Sequence, residues 1–572
     1  MISLYCQAQL LVNNGQVLHT DHGAKIRIQG SFMNDSSAFS DHNGNMVIDS
    51  SFINVHKSTQ KGDGAYGVYG DWQNSAHFLR DTSYVHLLGN LQYLKGDSAT
   101  SFYNLSAEGS GRKIMRINAS VFNCLQLHGL ELATDQDTLF IENASPGGLL
   151  SNTVFGSEGF VSTLDSGCLV RKTSGTNTYY FPFGSIAGTP RFRPVIITPD
   201  SGSVNQYGLS MQNKKADLDK YYVANKDSDV CKVNPLFYHT IQRLSGSSAC
   251  GITIGYLKAI DGIFSEIGNW QMTTRKWENI HNGAVGIINN YQAVNRAAWN
   301  SFTSKPFALL NFKPVIDSIT GPDLLCKQIP ETFSSVTDNL SDYVFSWSST
   351  GGNFKGGSTQ PDVTLLFTVP GSKNVFLTIL DTVTGCASGL FTKSIQVFAG
   401  PRAGFGISYQ NLFENVPITF LDSSSGSVQW AWNFGNGQNS TIENPQTAFA
   451  NSGVYTIRQI VTDKNGCQDS VSKSLDIKCS LKVPNVFTPN GDGVNDVFLI
   501  QGLCITQYTL EILDRWGLLV YSGNQSSAAW DGHTPSGQMC PEGTYYYTLK
   551  AEIENETERT TENSAGFITL LK

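Results

Sequence analysis

Ile26-Arg-Ile28-Gln-Gly30-Ser-Phe32, Met46-Val-Ile48-Asp-Ser50-Ser-Phe52, Tyr66-Gly-Val68-Tyr-Gly70-Asp-Trp72 and Val85-His-Leu87-Leu-Gly89-Asn-Leu91 are four copies of one template. Each reads apolar, any, apolar, any, small, any, large apolar, and the starts at 26, 46, 66 and 85 lie about one coil length apart. A looser fifth copy is Met115-Arg-Ile117-Asn-Ala119-Ser-Val121. Alternation with period two puts the apolar residues of each copy on one face of a strand. A fixed spacing of about 20 between copies suggests one coil per repeat, so that stacked coils bury a column no single repeat could bury. An antiparallel meander remains the alternative. The spacers favour the solenoid, because they are rich in Asn, Asp, Ser and Gly and carry no consistent two-residue hairpin signal.

Outside the repeat, composition points the same way. The chain has 572 residues, enough for roughly four domains. Only 15% of residues are charged, while glycine numbers 55 and aromatics make up 11%. That balance fits short strands joined by tight turns, and the 40% hydrophobic share is too large for a disordered chain. A formal net charge of −8 leaves no basic field for nucleic acid or anionic lipid. No apolar run approaches the roughly 20 residues of a spanning helix.

Met1-Ile-Ser-Leu-Tyr-Cys-Gln-Ala8 reads as the residual end of an export signal, apolar and closed by a small residue. A lipoprotein cysteine at Cys6 and a first strand are the alternatives. Removing Cys6 leaves ten of 11 cysteines, an even number. Pairing within predicted domains would join Cys231/Cys250, Cys326/Cys386, Cys467/Cys479 and Cys504/Cys540, as structural disulfides of an oxidising compartment do. Sequence does not decide the connectivity. No clustered Cys/His spacing suggests a metal centre.

Beyond the repeat, Ser101-Phe-Tyr-Asn-Leu105, Tyr180-Phe-Pro-Phe-Gly184 and Arg191-Phe-Arg-Pro-Val195 occur in an order that resembles a module common in large secreted Bacteroidota proteins. It implies a β-sandwich after the repeats, with Trp270, Trp277 and Trp299 as core aromatics. Two immunoglobulin-like modules follow. The second holds Trp430-Ala-Trp432-Asn-Phe434-Gly-Asn-Gly437, Asn444-Pro445, Gly453-Val-Tyr-Thr-Ile457 and Gly466-Cys467, and it resembles the PKD domain. The first, with Val344-Phe-Ser-Trp347 and Asn374-Val-Phe-Leu-Thr-Ile-Leu380, is a degenerate copy. Trp432 and Phe434 are expected inward on one strand, with Gly435 and Gly437 in a turn and Tyr455 and Ile457 opposite.

The last ninety residues carry Phe487-Thr-Pro489-Asn490-Gly491-Asp492-Gly493-Val-Asn495-Asp496, then Arg515-Trp516-Gly517, Trp530-Asp531-Gly532 and Gly543-Thr-Tyr545-Tyr-Tyr547. In this order they resemble the gliding-motility-associated C-terminal domain, the type B sorting domain of the type IX secretion system. The resemblance implies export through a signal peptide, recognition by the type IX outer-membrane translocon, and retention at the cell surface by a PorP-like outer-membrane barrel. Period-two alternation argues a small antiparallel sandwich whose last strand reaches the terminus. The implied boundaries are 1–8 residual signal, 9–190 solenoid-like repeat domain, 191–312 sandwich, 313–399 PKD/Ig-like domain, 400–479 PKD domain and 480–572 sorting domain. The fold class is thus all-β: a β-solenoid, a sandwich and three immunoglobulin-like sandwich modules.

Asn490, Asp492, Asn495 and Asp496 offer oxygens at short intervals in a glycine loop, which suits calcium. Stabilisation of tight turns is the competing role for them. Asp-Ser/Thr-aliphatic strings at Ser98, Thr138, Ser318, Thr382 and Ser470 are similar to the O-glycosylation sequon of exported Bacteroidota proteins. His19-Thr-Asp21-His22 has the residues of a metal site, yet on a strand its two histidines diverge. Neither a nucleophile elbow, a zincin motif nor a phosphate loop occurs, so no catalytic residue is assigned. The expectation is a non-enzymatic surface protein that is adhesive or binds a glycan or protein. A polysaccharide-degrading enzyme on the solenoid and a structural component of a surface or gliding apparatus are the alternatives.

Overall fold

A computed structural model of the chain describes residues 3–6, 9–152, 156–279, 283–302, 305–338, 340–502, 505–524, 529–554 and 559–572. They divide into two compact units: Met1–Ser318 with Val336–Ser346 and Thr378–Phe391, and Ile319–Ser335 with Trp347–Leu377 and Thr392–Lys572. Strands dominate both.

The template copies become rungs of one wall. Lys25–Ile28, Asn45–Ile48, Ala65–Val68 and Tyr84–Leu87 stack in parallel and in register, Ile26 on Met46 on Tyr66 on Val85. Parallel stacking excludes the meander. A second wall is built from Leu10–Asn14, Ser31–Asp35, Phe52–Asn54, Trp72–Asn74 and Gln92–Lys95. The third consists of Val17–Thr20, Phe39–His42, Thr59–Lys61 and His77–Phe78. Each coil therefore crosses three walls before returning about 20 residues on. In the first three copies the large apolar residue that closes the template lands on the second wall, where Phe32, Phe52 and Trp72 are fully buried; in the fourth, Leu91 precedes the strand and is exposed, and Leu94 pairs with Trp72 instead. Phe52 and Trp72 stack at 4.1 Å between ring centroids. Burial of each such ring contributes roughly 1.5–3 kcal/mol.

At the corner after the second wall runs a ladder of buried amides. Asn13 Nδ2 donates to Asn34 Oδ1 (3.0 Å), Asn34 to Asn54 (3.1 Å), Asn54 to Asn74 (2.9 Å) and Asn74 to Thr100 Oγ1 (3.2 Å). The same amides reach the third wall, Asn34 to the Thr59 carbonyl (3.1 Å) and Asn54 to the His77 carbonyl (3.0 Å). Polar side chains so deep are tolerated because neighbouring coils satisfy them.

The fifth template copy is out of phase with the others. Met115 ends the strand Arg112–Met115 and stacks on Leu94 of the second wall, while the rung above Val85 is Leu105 within Thr100–Ala107. Alternation recurs on every wall, so the template also matches at the wrong corner. At the other end, Ser3–Cys6 pairs in parallel with Lys25–Ile28 as a rung of the first wall.

The first wall does not stop at the sandwich. It continues through Ala119–Leu127, Thr138–Ile141 and Cys168–Thr173 to the antiparallel strands Asn205–Gln212, Tyr238–Ser245, Lys305–Phe312 and Glu266–Gln271. The second sheet of the sandwich orders Tyr179–Phe181, Val195–Pro199, Cys250–Tyr256, Tyr291–Trp299 and Gly283–Ile288. One hydrophobic core runs from Ile28 to Leu309, and Trp270, Trp277 and Trp299 are buried.

Residues 318–398 form two four-stranded sheets. In the module that follows, Phe405–Ser408, Ile418–Asp422 and Gln446–Thr447 face a sheet of Asn439–Ser440, Gln429–Asn433, Gly453–Thr462 and Gln468–Ile477 across a core of Trp432, Phe434, Phe449 and Ile457. Gly435 and Gly437 take φ of +76° and +84° in the turn after the tryptophan strand.

The disulfides correct the pairing by neighbourhood. Cys231 bonds Cys386, and Cys326 bonds Cys467, so Cys231/Cys250, Cys326/Cys386 and Cys467/Cys479 are not the pairs. Cys250 is a free, buried thiol at the start of the strand Cys250–Tyr256, within the continuous core. Cys540 is likewise free and buried, so Cys504/Cys540 is not formed; Cys504 itself lies outside the described residues. Cys479 is disulfide-bonded. Sequence distance carries no information about which segments fold side by side, and Cys231–Cys386 and Cys326–Cys467 both cross a module boundary.

Candidate functional site

The C-terminal segment folds around its own core. Val486–Phe487, Arg559–Leu570, Gly543–Glu554, Ile505–Leu513 and Leu519–Asn524 form one sheet in that order, antiparallel except for the first pair. Its inner face is covered by the segments around Phe498 and Trp530, which exchange backbone hydrogen bonds of 2.8 and 3.1 Å.

The motif residues sort into three groups. Phe487, Trp530, Tyr545 and Tyr547 are interior; Trp530 lies 5.0 Å from Phe487 and 5.1 Å, edge-on, from Tyr545. Trp530 Nε1 donates to the His533 carbonyl (2.9 Å) and the Tyr545 hydroxyl to the Pro541 carbonyl (2.8 Å), so both polar tips are satisfied inside. Gly532 has φ +83°, and a Cβ there would meet Pro489 Cγ at 3.1 Å and Leu570 Cδ1 at 3.2 Å, which reserves the position for glycine. Asp531 Oδ1 accepts the His533 amide (3.0 Å) and closes that turn. Gly543, at φ +145°, lies beside the Arg515 guanidinium, 3.7 Å from where a Cβ would stand.

The second group is the Asn490–Asp496 loop. Asp492 Oδ1 accepts the Val494 amide (2.7 Å) and its Oδ2 the Asn490 side chain (2.9 Å). Asp496 accepts the amides of Gly491 and Gly493, both at 2.7 Å. Asn495 supplies a left-handed residue at φ +53°. The Asn490 bond and the Val494 amide hold the Asp492 carboxyl below its usual range. These oxygens are engaged as caps of the loop's own backbone. Among the described residues no group of three or more His, Cys, Asp and Glu is poised to hold a metal. At the other end of the chain, His19 pairs with Asp21 (3.0 Å) and Asp41 (3.3 Å), while His22 is exposed.

The third group faces solvent. Asp514 Oδ1 accepts the amides of Trp516 (2.8 Å) and Leu518 (2.9 Å), and Gly517 turns the chain at φ +83°. This fixed turn leaves Trp516 86% exposed. Beside it, the register sets Phe567 opposite Tyr546, Tyr546 opposite Leu513, and Leu513 opposite Leu519, an apolar row across four strands of the outer face. Phe567, Tyr546 and Leu519 are exposed. Further along the same face the paired positions are polar: Thr509, Lys550 and Asn563, then Gln507, Glu552 and Thr561.

A second candidate lies on the solenoid. The third wall's ladder ends at His77–Phe78, whereas Thr100–Phe102 pairs onward with Ala119–Val121. The break opens a groove of about 400 Å³ lined by Leu79, Arg80, Asp81, Ser101, Tyr103 and Phe122. Arg80 lies 4.3 Å over the Phe122 ring and donates to Ser101 Oγ (2.9 Å); Tyr103 packs 5.7 Å from Phe122. Reasoning from sequence missed these residues, though Arg80, Ser101 and Phe122 recur at one-coil intervals. Of the five O-glycosylation candidates, Thr382 and Ser470 are exposed and Ser98, Thr138 and Ser318 half-buried.

Comparison with known proteins resolves the two C-terminal modules. Residues 481–570 match the CHU_C type IX secretion signal domain, and residues 413–479 match the PKD domain. The pre-pro-metalloprotease PrtV of Vibrio cholerae is 30% identical over 84 residues, 15% of this chain and 9% of PrtV, so the chain spans less than a tenth of that relative. The crystal structure of the PKD1 domain of Vibrio anguillarum Epp is 27% identical, with 14% of this chain and 93% of that one covered and a TM-score of 0.13. For the PKD1 domain of PrtV the values are 28%, 14%, 96% and 0.13.

Proposed function

We propose that this chain, which carries a C-terminal type IX secretion signal domain behind a PKD domain, is a displayed binding protein whose solenoid takes up a glycan. The signal domain indicates interaction with the type IX machinery and export to the cell surface or extracellular space. Among the described residues no helix is long and apolar enough to cross a membrane. Both matched domains are of non-catalytic types.

The observation that carries the reading is the self-contained C-terminal core with Trp516 and the row Phe567–Tyr546–Leu513–Leu519 left uncovered. Buried motif residues shape the sheet; the exposed ones supply the surface a translocon grips, and a PorP-like barrel would hold the same domain afterwards. On the solenoid, the groove combines aromatic edges with a guanidinium and a carboxylate, the groups that pack on sugar rings and bond their hydroxyls. Three carboxylates elsewhere along the coils face cations from neighbouring coils: Asp49 with Arg27, Asp71 with Lys95 and Asp135 with Arg116. Such pairing supports binding over hydrolysis, which needs two carboxyls flanking a bond.

Deleting residues 480–572 is expected to leave the protein in the periplasm; surface display of the truncated chain would sink the export reading. Trp516→Ala with Tyr546→Thr and Phe567→Thr should reduce surface display while leaving the unfolding midpoint of the domain near wild type. Glycan-array binding by the full chain should weaken at least tenfold in Phe122→Ala and Arg80→Ala. Unchanged binding in both variants would remove the groove.

A further inference from the structure

Two of the disulfides, Cys231–Cys386 and Cys326–Cys467, interlace. Read along the chain, the order is Cys231, Cys326, Cys386, Cys467, with the first bonded to the third and the second to the fourth. The loop closed by Cys231–Cys386 contains Cys326, and the loop closed by Cys326–Cys467 contains Cys386. A break anywhere between Cys231 and Cys386 is bridged by the first bond, and a break between Cys386 and Cys467 by the second. The strand-free joints at Lys313–Asp317 and around Ala399–Ala403 fall inside these spans. Both joints present residues to solvent, among them Lys313, Val315 and Arg402. Cutting both at once still leaves three pieces joined in series. Pairing between sequence neighbours would have left each joint held by the backbone alone.

We propose that this interlacing is a covalent retention device: the solenoid and sandwich stay attached to the C-terminal signal domain after a protease cuts either joint, and come away only on reduction. The surface setting rests on the export reading above; the covalent consequence does not. Cys386 and Cys467 are buried, which protects the bonds from casual exchange. Release takes one dithiol per bond. A dithiol thiolate attacks one cysteine sulfur to form a mixed disulfide. The second dithiol sulfur then displaces the other partner, so that two cysteine thiols and one oxidised cyclic reductant result. Extracellular and cell-surface proteins live where no thiol pool drives that reaction.

The test uses the full chain with a site-specific protease sequence inserted in 313–317 or in 399–403. After cleavage, non-reducing gels should show one species at the uncut mass of about 62 kDa, and dithiothreitol should split it in two. In a Cys231→Ser/Cys386→Ser chain, the cut at 313–317 should separate the fragments without reductant while the cut at 399–403 does not. Cys326→Ser/Cys467→Ser should show the reverse. Mass spectrometry of non-reduced peptides checks the bonds where a variant folds poorly. Separation of the cut wild-type chain without reductant, or identical behaviour of the two double variants, would overturn the proposal. On cells, protease shaving should leave the N-terminal region bound until a dithiol is added. Loss of surface display with an intact gel result would count against the export reading and not against the device.

Discussion

Replacing Asn54 by Ala removes the central rung of the amide ladder. Four hydrogen bonds go: from Asn34 Nδ2, from Ser58 Oγ (2.6 Å), to Asn74 Oδ1 and to the His77 carbonyl. Ser58 keeps the carbonyls of Val55 and Asn34, and Asn34 keeps the carbonyl of Thr59, so the donors lose little. The loss falls on two acceptors, Asn74 Oδ1 and the His77 carbonyl. At about 1–3 kcal/mol per buried group deprived of its partner, the coil should lose about 2–6 kcal/mol. Because the chain has several modules, a single melting temperature would blur this, and hydrogen exchange of solenoid peptides is the better assay. Protection of the coils between residues 26 and 94 should fall at least ~30-fold. Gln73→Ala, on the same strand as Asn74 but turned outward, should stay within about 0.5 kcal/mol of wild type. If Asn54→Ala lost no more protection than Gln73→Ala, the ladder would not be holding the corner.

Three other outcomes follow from the geometry. His239, fully buried in the sandwich, has its pKa pushed down to about 4 by burial, against which its bond to the Arg193 carbonyl (3.1 Å) acts weakly. The native state thus binds fewer protons than the unfolded chain below about pH 6.5, so stability is full above that value and declines as pH falls toward 4, by up to about 3 kcal/mol; His239→Gln should flatten the urea-midpoint profile in that window. The turn-capping bonds of Asp492 and Asp496 predict that a calcium chelator leaves the unfolding midpoint of the C-terminal domain unchanged, whereas a fall on chelation would restore a cation role for the loop. Intact-mass measurement on protein from its native host should find any added sugar at Thr382 or Ser470 before the half-buried candidates.

The solenoid was legible because two periods coincide: alternation within a strand and a return after about 20 residues, each with a direct physical cause. The inward places of Trp432 and Phe434 were legible for the same reason. Phase was harder to read: Met115 fits the template but sits on a different wall, since every wall demands alternation. The disulfides escaped because cysteines 155 and 141 residues apart are joined by tertiary packing alone. The groove escaped because its residues come from three successive coils and face one another only once the coils are stacked. In the C-terminal motif the residues were evident but not their division of labour; Trp516 and Trp530 look alike in sequence, and only burial separates them.

A stack of parallel rungs is by nature unfinished, since its last strand offers the same unpaired amides and carbonyls that recruited it. Here the antiparallel strand Asn205–Gln212 lies against Cys168–Thr173 and consumes that template. The sandwich therefore acts as a terminator of polymer growth at this end. Chains severed ahead of Asn205 would present a sticky rung and should assemble into fibres, whereas in the uncut chain that rung is already paired.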